Sequence, residues 1–82
     1  MTVDSPKWIR FYEVPASGKT QRWAVDTLDG YRLGYVHWLG KWRQYCFSPN
    51  ENTVYERQCL RDIANFCDEN TRTYLKNRRA ER

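Results

Sequence analysis

The 82-residue chain is 29% charged and 16% aromatic, with a mean hydropathy of −0.94 and a formal net charge of +4. A chain of this length accommodates one domain, 1–82. No apolar run approaches the roughly 20 residues of a membrane-crossing helix, and the polar start Met1-Thr2-Val3-Asp4-Ser5-Pro6 has no signal-peptide core, so the expected location is the cytoplasm of the cell that makes it.

Lys7 to Val14 is rich in β-formers, and either Ile9 and Phe11 or Trp8 and Tyr12 form its inward pair. Pro15-Ala16-Ser17-Gly18-Lys19 is a loop, and Arg22 to Thr27 predicts the second strand. Asp29-Gly30 is the signature of a type I′ hairpin turn. Arg32 to Leu39 predicts the third strand, Gly40-Lys41 a type II′ turn, and Trp42 to Phe47 the fourth strand, ended by Ser48-Pro49-Asn50.

Two-residue turns fix register. Around Gly40-Lys41 they set Trp38 against Arg43, Val36 against Tyr45 and Gly34 against Phe47, and around Asp29-Gly30 they set Val25 against Gly34 and Trp23 against Val36. Trp23, Val25, Val36, Trp38, Tyr45 and Phe47 then share one face, the expected core, with Arg43 able to stack on Trp38. The opposite face carries Arg22, Ala24, Asp26, Leu33, Tyr35, His37, Trp42, Gln44 and Cys46, a mixed surface suited to a sheet with one wet side.

From about Tyr55 the hydrophobic period changes to that of a helix, 55–76, with Leu60, Ile63, Ala64, Cys67, Thr71, Tyr74 and Leu75 as its apolar stripe and Asn52 or Thr53 as its cap. That stripe must cover the aromatic face of the sheet. The predicted fold is α+β, with an antiparallel meander of three to four strands packed on one long C-terminal helix.

Through Asn70 the chain balances nine Lys or Arg against nine Asp or Glu, whereas the tail holds Arg72, Lys76, Arg78, Arg79 and Arg82 against Glu81. All the excess charge therefore lies in the basic tail, 72–82. Cations there complement a helix C-terminus, or they form an arm for an acidic partner.

Chemical motifs are weak. Ser17-Gly18-Lys19-Thr20 matches the end of a phosphate-binding loop, but Glu13 stands where the motif needs Gly, and a strand follows where a helix must. Cys46, Cys59 and Cys67 with His37 lack the close pairs of a zinc site. Cys59 and Cys67 lie about 12 Å apart along the helix, beyond disulfide reach, so all three cysteines are expected as reduced core-fillers. Cys46 and His37 share the outer face diagonally with no third group to orient them. No enzyme, cofactor or metal is expected.

Leu33-Gly34-x-Val36-x-Trp38-x-x-x-Trp42-Arg43-x-Tyr45-x-Phe47-x-Pro49, followed by Leu60-x-x-Ile63-Ala64-x-Phe66, resembles small uncharacterised domains of bacteriophages, prophages and mobile elements. The resemblance covers roughly residues 23–66. It implies a short accessory protein that binds DNA, or that binds and disables a host protein such as a CRISPR effector. The layout of three strands and a helix is also similar to DNA-binding domains at the front of some phage-type integrases, which dock the open sheet face in a major groove.

The favoured expectation is a non-catalytic module engaging a host or phage protein through Arg22, Tyr35, His37, Trp42 and Gln44, as an inhibitor of host defence. Its motive is the apolar patch of Leu33, Tyr35 and Trp42 on a neutral body. The alternative is a DNA- or RNA-binding module using Arg22, Lys41, Gln44, Lys76, Arg78 and Arg79. A homodimer through the outer face is a further option, and no membrane partner is expected.

Overall fold

The computed structural model describes residues 8–16 and 18–80, with side chains through Arg78. Lys7, Ser17, the Arg79 side chain, Glu81 and Arg82 fall outside the described set. Four strands, β1 (Ile9–Val14), β2 (Arg22–Thr27), β3 (Arg32–Leu39) and β4 (Gln44–Pro49), form one antiparallel meander in chain order. One helix, α1 (Arg57–Ala80), packs across it.

The predicted core face is present. Trp23, Val25, Val36 and Tyr45 are buried, and Trp38 and Phe47 pack against them. Phe11 and buried Ile9 are the inward pair of β1, which leaves Arg10 and Tyr12 on the open face. Trp38 meets the rings of Tyr45 and Tyr74 at centroid distances of 5.2 and 4.6 Å.

Both turns differ from expectation. The β3–β4 connection has four residues, Gly40 to Arg43, and Arg43 rather than Gly40 adopts the positive φ, 56°. The amide of Arg43 closes it by donating to the Leu39 carbonyl at 2.8 Å. The pairing therefore moves by two, to Trp38 with Tyr45, Val36 with Phe47 and Gly34 with Pro49. A shift of two keeps each side chain on its face, but it removes Trp42 and Arg43 from the strand and Arg43 from the position opposite Trp38.

The β2–β3 turn has three residues, Leu28 to Gly30, with only Gly30 left-handed (φ 95°). A β-bulge then makes up the difference, since Asp26 pairs with Arg32 while Val25 pairs with Gly34. Leu33 is the extra residue. A bulge breaks the alternation of sides, so Leu33, expected outside, is buried in the core cluster. Its carbonyl accepts from the Asn50 amide at 2.7 Å and from the Tyr55 hydroxyl at 2.9 Å, which ties the segment after β4 to the bulge.

The helix begins two residues later than predicted, and Glu56 caps it in place of Asn52 or Thr53. Its carboxylate accepts from the Cys59 amide at 2.6 Å. Asn52 instead occupies a left-handed turn position (φ 59°), and the Thr53 hydroxyl donates to the Asn50 carbonyl at 2.9 Å. The buried stripe is turned toward Cys59, Ile63 and Phe66, and both Leu60 and Ala64 are exposed. Phe66 stacks on Phe11 at 3.9 Å and meets Trp23 edge-on at 4.9 Å. A ring buries far more apolar surface than an alanine methyl, which explains why Phe66 sets the rotation of the helix.

Two substitutions separate the observed stripe from the predicted one. Phe66→Ala is expected to lower unfolding free energy by about 3 kcal/mol, and Leu60→Ala by less than about 0.5 kcal/mol, in urea titrations. Equal losses would contradict the observed helix rotation. At Gly34 an added Cβ would meet the Ser48 carbonyl, the Phe47 ring and the Pro49 backbone, the last two at 2.9 Å. Gly34→Ala is accordingly expected to cost about 1–3 kcal/mol, read as a lowered denaturation midpoint.

Candidate functional site

The open face of the sheet is built in cross-strand rows. Arg10, Asp26 and Arg32 form one row, Tyr12, Ala24, Tyr35 and Ser48 the next, and Val14, Arg22, His37 and Cys46 the third. Ala24 is fully buried (0% exposed) although its strand position faces away from the helix. The larger side chains around it close over the alanine, so this face is a packed layer.

Tyr35 organises that layer. The Arg22 guanidinium lies 4.3 Å from the Tyr35 ring centroid and that of Arg32 lies 5.6 Å away. By register, Arg22 approaches from the His37 side of Tyr35 and Arg32 from the Asp26 side. Arg32 also donates to the Tyr35 hydroxyl at 3.2 Å and forms a two-pronged ion pair with Asp26, whose second bond measures 3.2 Å. The hydrogen bond to Asp26, and secondarily that to Tyr35, holds the Arg32 guanidinium above its ordinary basicity. Arg22 has no carboxylate partner within salt-bridge distance among the described residues. Three arginines thus face one aspartate across two tyrosines, the chemistry of cation–π contact and anion attraction.

The other predicted site residues scatter around this layer. His37 Nε2 lies 2.6 Å from the Ser48 hydroxyl, and the shifted register puts Cys46 directly opposite His37 where a diagonal contact was expected. Gln44 is exposed at the start of β4, and Lys41 and Trp42 lie in the β3–β4 loop, with Trp42 62% exposed. With Leu33 buried and Trp42 off the sheet, the expected apolar patch of Leu33, Tyr35 and Trp42 does not form.

Several cations share one end of the body. A meander puts the β1–β2 and β3–β4 loops at one end, and the contact of Tyr74 with Trp38 brings the helix C-terminus there too. Lys19, Arg22, Lys41, Arg43, Lys76 and Arg78 gather at that end, where Glu13 is bonded to the Gln21 amide group at 3.0 Å. Asp29, Glu51 and Glu56 lie at the opposite end, together with Arg32, Arg57 and Arg61. The Arg78 guanidinium sits 5.9 Å from the Tyr74 ring.

Sequence reasoning missed Arg10, Tyr12 and Arg32. The first two hung on the undecided facing of β1. Arg32 required the bulge, for which the sequence carries no distinct signal.

The cysteine thiols are all free and all pushed up by burial. Cys67 reaches about 11, chiefly through burial and then through the nearby Cys46 charge. No group of three potential metal ligands occurs among the described residues, and no helix there is long and apolar enough to cross a membrane. Because the thiolate is the reactive form, Cys67 should alkylate at least roughly tenfold more slowly in native protein than in urea near pH 8. The stabilisation from its protonated burial is present below the ordinary value of 9.0 and lost as pH rises through about 11. Equal native and denatured labelling rates would contradict this placement.

The uncharacterized 9.3 kDa protein of Acholeplasma phage L2 is 32% identical to the chain over 72 residues, spanning 84% of this chain and 91% of that protein. No protein-family model matches, and no solved structure gives a significant match.

Proposed function

The chain belongs to the family of the 9.3 kDa protein of Acholeplasma phage L2, and from that premise we propose that it is a non-catalytic phage accessory protein that binds nucleic acid in the host cytoplasm. The contact surface is the open sheet face with the adjoining basic end. One observation carries this reading: Arg10, Arg22 and Arg32 lie around Tyr12 and Tyr35 on a surface continuous with the cations of the loops and the helix end.

Nucleic-acid affinity requires several cations close together. Overall neutrality through residue 70 is compatible with that requirement, because Lys19, Arg22, Lys41, Arg43, Lys76 and Arg78 share one end of the body. The apolar patch that would favour a protein partner is broken up by the bulge and by the four-residue loop. An acidic protein surface is the other partner these charges would attract, and a host-defence protein reached in this way would be recognised by its negative charge.

The test is oligonucleotide binding by fluorescence anisotropy at low and moderate salt. Affinity is expected to fall by at least roughly tenfold between about 50 and 200 mM salt. The double variant Arg10→Glu, Arg22→Glu should abolish binding while leaving the thermal melt in place. No binding by the natural chain at low salt, or undiminished binding by the double variant, would refute the proposal.

A further inference from the structure

Beside Arg22 a recess of about 500 Å³ opens between the β1–β2 loop and the end of β3. Its size falls within the roughly 300–1,000 Å³ typical of small-ligand sites. Pro15, Ala16, Thr20, Arg22, His37 and Trp38 are among the residues that line it. Resting on the nucleic-acid reading above, we infer that this recess receives an unstacked base of a single strand, so that the partner is single-stranded nucleic acid rather than duplex.

Three observations carry the inference. The recess and the open face share Arg22 and His37, so a strand whose backbone follows the arginines passes its mouth. Tyr35, the central ring of the face, is crossed by the Arg22 and Arg32 guanidiniums and is not free as a stacking platform. The recess adjoins the arginine row and offers a base the apolar residues Pro15, Ala16 and Trp38 beside Thr20 and Arg22. Duplex bases are stacked and paired and cannot enter. Base burial against protein surface contributes enough to distinguish the two forms, whereas phosphate attraction alone does not.

The experiment compares a short labelled single strand with a duplex of the same sequence. The natural chain is expected to prefer the single strand by roughly tenfold or more. Ala16→Trp and, separately, Thr20→Tyr fill the recess from the β1–β2 loop with every arginine of the open face kept, and each should remove the preference while leaving duplex affinity unchanged. Equal affinity for both forms, a duplex preference, or a preference that survives both fillings would overturn the inference and leave the nucleic-acid reading intact. Failure to bind either form would overturn both.

Discussion

The extra residue in β3 determines what the open face of this protein is. Without a bulge, strict alternation would put Leu33 with Tyr35 and His37 and send Arg32 to the opposite side. With it, Leu33 joins the core while Arg32 lies beside Asp26 and Tyr35. A surface that would have been partly apolar becomes cationic and aromatic. The bulge is held from outside the strand pair: the Leu33 carbonyl takes two hydrogen bonds from the segment after β4, and the Arg32 carbonyl accepts from the Asn50 side chain at 3.4 Å. The connection between sheet and helix therefore fixes the chemistry of a face it does not touch.

The helix contributes to the same end by two routes. Phe66 anchors it across Phe11 and Trp23, and Thr71 donates from its hydroxyl to the Cys67 carbonyl while accepting from the Tyr45 amide at 2.9 Å. The second contact satisfies an edge-strand amide that would otherwise be open to pairing with another chain. Anchored in this way, the helix carries its basic C-terminal turns to the end of the sheet where Lys19, Lys41 and Arg43 project. Lys76 and Arg78 thereby join the cations of the two loops at one end of the sheet.

Much of this architecture was legible in the residues. β2 and β3 have the predicted bounds, because Asp29-Gly30 and the alternation of Trp23, Val25, Val36 and Trp38 leave little freedom. The core face survived an error of two in the β4 register, since an even shift preserves parity. Turn geometry was less legible. Gly40 suggested a tight turn, yet Arg43 accepted the left-handed position, and the four-residue loop took Trp42 off the sheet. The helix stripe failed at Leu60 and Ala64 because periodicity alone does not weigh the Phe66 ring, packed on Phe11 and Trp23, against those two aliphatic side chains. The candidate site was legible only in part: Arg22 and Tyr35 followed from parity, whereas Arg10, Tyr12 and Arg32 needed the pairing of β1 and the bulge.

The most direct test of the central claim is a set of nuclear Overhauser contacts from the Arg32 and Leu33 side chains in solution. The bulge predicts contacts from the Arg32 δ protons to the Tyr35 ring, and from the Leu33 methyls to core groups such as Val25 or Ile63. Leu33 methyl contacts to Ala24 or to the Tyr12 ring, with Arg32 remote from Tyr35, would contradict it.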